Sequence, residues 1–137
     1  MSCVMKELVY VGLGGIAGTL TRYGIQLWIP QANGGFPWGV LLINAVGSLF
    51  LGWFFTVAVP HKISAELRLA IGTGFTGAFT TFSTFALDIV RLAEGGHWIS
   101  AAAYVFTSIA AGLLLCSVGI HWGEQMLKRD GRGGAQA

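Results

Sequence analysis

Charge is scarce in this sequence, since Asp, Glu, Lys and Arg together make up 10% of its 137 residues, against about 25% in an ordinary soluble domain. Hydrophobic residues make up 54% of the chain, which also carries nine Phe, five Trp and 21 Gly. So few polar groups cannot cover a protein surface in water, whereas glycine and interfacial aromatic residues are frequent in membrane-spanning helices. The composition therefore predicts a membrane protein, and the length allows a single domain.

Cysteine is also scarce, and Cys3 and Cys116 are too far apart to indicate a disulfide framework or a zinc motif. The net charge is only +2 and no basic run is longer than two residues, which argues against a nucleic-acid partner. The sequence has no Gly-x-Ser-x-Gly elbow, no His-Glu-x-x-His pair and no P-loop. We therefore expect neither an enzyme nor a nucleic-acid-binding protein.

Four apolar segments can each cross a bilayer core about 30 Å thick, which takes about 20 helical residues. They cover residues 8–29, 38–59, 69–87 and 98–122. Trp residues lie at their ends, as is typical of membrane interfaces. Small residues one turn apart predict close helix packing, at Gly14 and Gly18, Ser48 and Gly52, and Ser108 and Gly112. The sequence thus predicts an all-α, four-helix transmembrane domain over residues 1–127, followed by a polar tail over 128–137.

The third segment is unusual, because residues 72–85 contain three Gly and six Ser or Thr in fourteen positions. Such residues weaken an α-helix. A helix interrupted at membrane depth is tolerated only beside protein or a water-filled cavity, and interrupted helices often bind ions. The alternative is a continuous helix whose hydroxyls bond its own backbone while its glycines pack closely, and the pattern leaves both interpretations open.

Asn44 and Arg22 are polar residues inside predicted spans that need an explanation. The amide of Asn44 in the second span must find partners, either an ion pathway or a hydrogen bond to another helix. Arg22, near the end of the first span, either extends toward the interface or sets a positive potential at a pore mouth. Neither choice is decided by the sequence.

Further polar and aromatic residues recur at helical spacing in the third segment. Thr80, Thr84 and Asp88 lie four residues apart and are predicted to share one face. The adjoining face would carry Phe79, Phe82 and Phe85. With no cation at mid-span, an anion would be held by amide and hydroxyl hydrogens and by the positive edges of rings. These patterns indicate an ion pathway without naming the ion.

Three motifs resemble those of the Fluc (CrcB) fluoride channels. The run from Gly74 to Phe85, which contains TTFSTF, resembles the third-helix signature of that family. Gly14-Gly15-x-x-Gly18-x-x-x-Arg22-Tyr23 is similar to its first-helix motif, and Trp38-Gly39-x-x-x-x-Asn44-x-x-Gly47 is similar to its second. The resemblance covers residues from about 10 to 115, with the motifs in the family's order.

The resemblance implies an antiparallel, dual-topology homodimer with a broken third helix and two fluoride pores. Its implied role is passive fluoride export across the bacterial inner (cytoplasmic) membrane, which lowers cytoplasmic fluoride. A structural sodium ion at the dimer interface would be held by the backbone carbonyls of Gly77 and Thr80. The residues implied to line the fluoride pathway are Asn44, Phe82, Phe85, Ser83, Thr84, Tyr104, Ser108, Asp88 and Arg22.

The cationic residues give little preference for one orientation in the membrane. Six Lys or Arg lie on the side of both termini and the central loop, against Arg22 and Arg91 on the other, and without the tail the count is three against two. The positive-inside rule therefore has little to act on, which fits insertion in both orientations.

Two other functions are compatible with a small four-helix membrane protein. Small multidrug exporters share the architecture of four short helices, but they need a membrane-embedded Glu in the first helix, and residues 8–21 contain no carboxylate. A non-transporting scaffold subunit would leave Asn44 and the unusual third segment without a purpose.

Overall fold

The structure is a computed structural model, which describes residues 3–29, 35–61 and 63–133. All its regular elements over these ranges are helical, as the sequence predicts. In chain order they are α1 (Cys3–Trp28), α2 (Trp38–Ala58), α3 (Ala65–Arg68), a π-helical segment (Leu69–Phe75), α4 (Thr76–Phe79), α5 (Phe82–Glu94) and α6 (Trp98–Gly133).

The helix boundaries follow local sequence signals. Helix α2 begins directly after Pro37, which cannot donate a backbone hydrogen bond. Ser64 caps α3 by accepting a hydrogen bond from the Leu67 N–H at 3.3 Å. Helix α5 ends at Gly95, and Gly96 turns the chain with a φ of 77°, a left-handed conformation that glycine adopts readily. Of the turn predicted at residues 30–37, residues 30–34 lie outside the described ranges.

Helix α6 continues beyond the end predicted for the domain. Residues 128–133, the first part of the predicted polar tail, continue this helix, and residues 134–137 lie outside the described ranges. The sequence Gln125-Met126-Leu127-Lys128-Arg129 consists of good helix formers, so nothing in it ends the helix after the apolar run.

Two of the described helices, α2 and α6, are long and apolar enough to cross a membrane. Helix α1 has 26 residues, roughly 39 Å at 1.5 Å per residue. Large side chains on the outer faces of α1 and α6 are well exposed, among them Leu13, Leu20, Leu113 and Leu114 at 60–67%. An apolar surface of this extent suits lipid rather than water.

Glycines let helix backbones approach one another closely. A Cβ on Gly14 would overlap the Ala70 carbonyl, and one on Gly18 would overlap the Phe75 carbonyl, so α1 packs directly on the π-helical segment. Helices α2 and α6 also pack closely, because a Cβ on Gly52 of α2 would overlap the Cys116 carbonyl of α6. The packing predicted from the small residues at these three positions is therefore confirmed.

The third predicted span begins with the π-helical segment, which directly follows α3. The Thr76 hydroxyl donates to the Ile71 carbonyl, five residues back, at 3.0 Å, which follows the wider π spacing. π-Helical turns are rare and occur frequently at functional sites. The segment lies immediately before the part of the chain that shapes the candidate site.

Candidate functional site

The third predicted span is interrupted at two residues. Helix α4 ends at Phe79, and Thr80 (ψ 158°) and Thr81 (φ −145°, ψ 117°) have extended backbones. Helix α5 then begins at Phe82, where the Thr81 hydroxyl accepts a hydrogen bond from the Thr84 N–H at 3.2 Å. Extended geometry suits β-branched Thr, and Thr is a favoured N-cap.

Because of this interruption, two of the helical faces predicted for the third segment are wrong. Thr80 lies outside α5, so it does not share a helical face with Thr84 and Asp88 as predicted; only the latter two lie one turn apart on one helix. Phe79 is likewise separated from Phe82 and Phe85, and its ring stacks on Phe75 instead, with centroids 5.8 Å apart. The physical reason is the same in both cases, since two extended residues change the direction of the chain.

Asn44 bonds both backbone groups of Thr81. Its Nδ2 donates to the Thr81 carbonyl at 3.0 Å, and the Thr81 N–H donates to its Oδ1 at 2.8 Å. The sequence left open whether this amide serves an ion or another helix, and the structure shows the hydrogen bond to the other segment. An amide nitrogen carries two hydrogens, so Asn44 has a second donor besides the one used on Thr81.

A cavity of about 540 Å³ lies beside the interruption. It is bordered by α2, the π-helical segment, α4, α5 and α6. Side chains at this cavity are amides, hydroxyls, aromatic rings and aliphatic groups, and none of the described lining residues is charged. The predicted site residues that line it are Asn44, Gly77, Thr80, Phe82, Phe85 and Ser108.

Three aromatic rings lie next to one another beside the cavity. The Phe82 and Phe85 ring centroids are 5.8 Å apart, and those of Phe85 and Tyr104 are 5.1 Å apart. Phe82 is 79% exposed whereas Tyr104 is fully buried. The ring of Phe82 therefore faces outward from this single chain, although it borders a cavity lined with polar groups.

Two hydroxyls near these rings have unused hydrogen-bonding capacity. Tyr104 OH and Ser108 Oγ are buried and have no hydrogen-bond partner among the described residues. Buried polar atoms are normally satisfied by protein, water or a ligand. Ser108 borders the cavity, although its hydroxyl oxygen is itself buried.

The remaining predicted site residues do not line the cavity. Ser83 and Thr84 surround the Thr81 hydroxyl, with Oγ distances of 3.3 and 3.0 Å. Asp88 is buried on α5, with Oδ1 3.8 Å from Arg91 Nη1. Arg22 is half-buried on α1, one turn beyond Gly18. The structure thus brings six predicted residues together at the cavity and places these three groups, with Tyr104, behind or beside it.

The carbonyl of Gly77 is suited to a cation. In a helix it would accept from the N–H three or four residues later, but Thr80 N–H bonds the Thr76 carbonyl at 3.0 Å and Thr81 N–H bonds Asn44. Gly77 is exposed, and a Cβ there would meet nothing within 4 Å. Backbone carbonyls are known ion ligands. Among the described residues no three His, Cys, Asp or Glu side chains form a metal cluster.

Two residues that shape the interruption were not assigned a role from the sequence. Thr81 is the residue that Asn44 binds, and its capping position before the apolar run at Phe82 was a usable signal. Gly47 leaves room for the interruption, because a Cβ there would overlap the Thr80 methyl group. No local pattern indicates which residue of another segment Gly47 faces.

Comparison with known proteins gives one family and several close relatives. A family model described as CrcB-like protein, Camphor Resistance (CrcB), matches residues 9–120. The chain is 42% identical over 125 residues to the fluoride-specific ion channel FluC of Bacteroides fragilis, which covers 88% of this chain and 98% of the relative. Proteins of the same name from Thermus thermophilus and Shewanella loihica are 38% and 36% identical over 124 residues, with 90% of this chain covered in each case and 98% and 97% of the relatives.

Proposed function

The chain belongs to the CrcB-like protein family, and we propose that it is a fluoride-selective ion channel. The family resemblance of the sequence motifs is confirmed by the match over residues 9–120. Relatives that align over nearly their whole length carry the name fluoride-specific ion channel. The protein is accordingly a membrane channel and not an enzyme.

The observation that carries this proposal is the uncharged cavity beside the interrupted helix. An anion that enters it must exchange its hydration for weak donors, which are the Asn44 amide, the Ser108 hydroxyl and the edges of Phe82 and Phe85. Donors of this kind have to approach closely to replace water, which favours a small anion. Fluoride is both the smallest and the most strongly hydrated halide, so this lining selects it over chloride where several donors reach the ion at once in a space too narrow for chloride.

The channel works as an antiparallel dimer with two pores. Phe82 is 79% exposed in the single chain although it borders the polar cavity, so a second copy packed at this face would cover both the ring and the open side of the cavity. A second copy in the opposite orientation would close the open side of each cavity, so that each pore is lined by both subunits. The weak orientation bias of the Lys and Arg residues supports insertion in both directions.

A sodium ion at the dimer centre neutralises the carbonyls that the interruption releases. Gly77 and Thr80 from two copies would direct four carbonyl oxygens toward one point, where their dipoles repel unless a cation lies between them. The diverted Thr81 N–H and the open surroundings of Gly77 support this assignment. The sodium ion is structural and supplies positive charge near the pores.

Transport is passive and lowers cytoplasmic fluoride. Hydrogen fluoride crosses bilayers as a neutral molecule and ionises in the neutral cytoplasm of a bacterium. A multi-pass channel in the inner membrane then releases the trapped anion down its gradient.

Growth in fluoride tests this role in cells. A bacterial strain without a fluoride exporter should regain growth in millimolar fluoride when it expresses this protein. The matched control is Asn44→Asp, which preserves the side-chain shape, and it should not restore growth at equal membrane abundance. Failure of the wild-type protein to restore growth, despite normal abundance, would contradict fluoride export.

A further inference from the structure

Asn44 takes a hydrogen-bond donor away from the helix that precedes the interruption. In an uninterrupted α-helix the N–H of residue 81 bonds the carbonyl of residue 77. Here the Thr81 N–H donates instead to Asn44 Oδ1 at 2.8 Å, and Asn44 Nδ2 holds the Thr81 carbonyl at 3.0 Å. The side chain thereby satisfies both backbone groups of one residue, as a neighbouring strand would.

The Thr81 N–H is therefore not available to the Gly77 carbonyl. The other N–H within helical reach, that of Thr80, bonds the Thr76 carbonyl at 3.0 Å. The Thr80 hydroxyl donates to the same carbonyl at 2.9 Å. Both nearby helical donors are therefore engaged elsewhere, so neither of them occupies the carbonyl of the exposed Gly77.

Helix α2 is shaped to hold this arrangement. Gly47, one turn after Asn44, leaves the space that the Thr80 methyl group fills. The Ser48 hydroxyl donates to the Asn44 carbonyl at 2.9 Å. This hydroxyl therefore does not compete with the Asn44 amide for the Thr81 carbonyl. Asn44 lies well inside a 21-residue helix and is therefore firmly positioned.

We infer that Asn44 is a positioning residue for the cation site: by binding the Thr81 N–H, it keeps the Gly77 carbonyl available as a sodium ligand. This inference rests on the sodium site of the proposed function. It gives Asn44 a second task besides donating to an anion. Removal of the acceptor lets the Thr81 N–H return to Gly77, and sodium must then compete with a backbone hydrogen bond.

An isosteric pair of variants separates the two tasks. Asn44→Leu keeps the volume but has no acceptor for the Thr81 N–H. Asn44→Asp loses the Nδ2 donor to the Thr81 carbonyl but keeps an oxygen acceptor for the Thr81 N–H, so it should impair fluoride passage while that N–H stays away from Gly77. Phe82→Ile is the matched control at the same cavity, because it alters the anion lining and leaves the Asn44–Thr81 pair intact.

Sodium binding is measured by the thermal stability of each purified dimer, titrated with sodium chloride at constant ionic strength against N-methylglucamine chloride. A ligand that binds only the folded protein raises its Tm with concentration. The sodium concentration for half the effect should rise about five- to tenfold in Asn44→Leu, as expected for competition with one backbone hydrogen bond. In Asn44→Asp and Phe82→Ile it should not rise. Fluoride efflux, measured in parallel, should fall in all three.

The outcomes are distinguishable. If the wild type shows no sodium-dependent Tm, the sodium site is absent and the inference falls with it, while the channel function can still stand on efflux. If the wild type responds and Asn44→Leu responds equally, Asn44 serves the anion alone and the inference is overturned. Should Asn44→Leu not yield a monodisperse dimer, Asn44→Ser, which is too short to reach Thr81, should show the same weakened sodium response.

Discussion

At the scale of single residues, the proposed anion pathway depends on the charges that the cavity lacks as much as on the donors that line it. Asn44, Ser108, Phe82 and Phe85 present partial positive charges, and no charged group among the described residues lines the cavity. A full positive charge would hold an anion too tightly for rapid release, whereas several weak donors replace part of its hydration. Conduction requires binding that is favourable on entry and weak enough to leave.

A negative charge at Asn44 should block this pathway. At an effective dielectric constant near 20, two like charges about 4 Å apart repel by roughly 4 kcal/mol, which slows passage by on the order of a thousandfold. Asn44→Asp should therefore assemble as the wild type does but release fluoride at that reduced rate, measured with a fluoride electrode on liposomes. Wild-type efflux through this variant would show that Asn44 does not line the pore.

Removal of one aromatic edge should have a smaller effect. Phe82→Ile keeps a similar volume but loses a ring interaction of about 1 kcal/mol, so fluoride efflux should fall about tenfold or less. Phe106→Ile is the matched control, since Phe106 is 74% exposed on α6 and does not line the cavity. Equal losses in both variants would assign the effect to membrane packing rather than to the pore.

The sequence indicated some of these residues for physical reasons and missed others. An amide inside an apolar span is conspicuous, so Asn44 could be identified without a structure. Its partner Thr81 is 37 residues away, and no local rule selects Thr81 over the neighbouring hydroxyl residues. Asp88 and Arg22 were indicated by their positions in the sequence as well as by the family resemblance, whereas neither is among the residues that line the cavity.

At the scale of helices, close backbone contact holds the interrupted segment in place. Gly14 and Gly18 bring α1 against the carbonyls of Ala70 and Phe75, and Gly74 brings the π-helical segment against the Val11 carbonyl. The separation of the small residues predicts such contact, but hydrophobic periodicity does not reveal the π geometry. That geometry depends on non-local packing, which a single-segment pattern does not contain.

Substitution of a contact glycine should destabilise the fold. A Cβ at Gly14 overlaps the Ala70 carbonyl, and forced overpacking typically costs about 1–3 kcal/mol. Gly14→Ala should therefore lower the Tm of the purified protein. Gly12→Ala is the control on the same helix, because a Cβ there meets nothing within 4 Å, and it should leave Tm unchanged or raise it. If both variants behave alike, backbone contact between α1 and the π-helical segment does not stabilise the protein.

At the scale of the whole molecule, the ends of α2 and α6 meet on one side. His61 Nε2 and Asp130 Oδ2 are 3.7 Å apart there, and the Trp53 Nε1–H donates to Met126 Sδ at 3.3 Å. The C-terminal end of α6 thus marks one face of the bundle. In an antiparallel dimer the two copies of this end would lie on opposite sides of the membrane.

Labelling at this end should find both orientations. In a background of Cys3→Ser and Cys116→Ser, Gln125→Cys places one thiol at an exposed position of α6. A membrane-impermeant maleimide applied to intact cells should modify about half of the protein, and permeabilisation should expose the rest. Complete labelling, or none, before permeabilisation would contradict dual topology.

The most direct test of the central claim is anion efflux from liposomes that contain the purified wild-type protein. Vesicles loaded with equal potassium fluoride and potassium chloride receive valinomycin to carry the balancing potassium, and each anion is followed with its own electrode. The account predicts rapid fluoride efflux with chloride at the rate of protein-free vesicles, because a lining of weak, closely placed donors favours the smaller ion. Comparable efflux of both anions, or no fluoride efflux from vesicles that contain dimer, would contradict it.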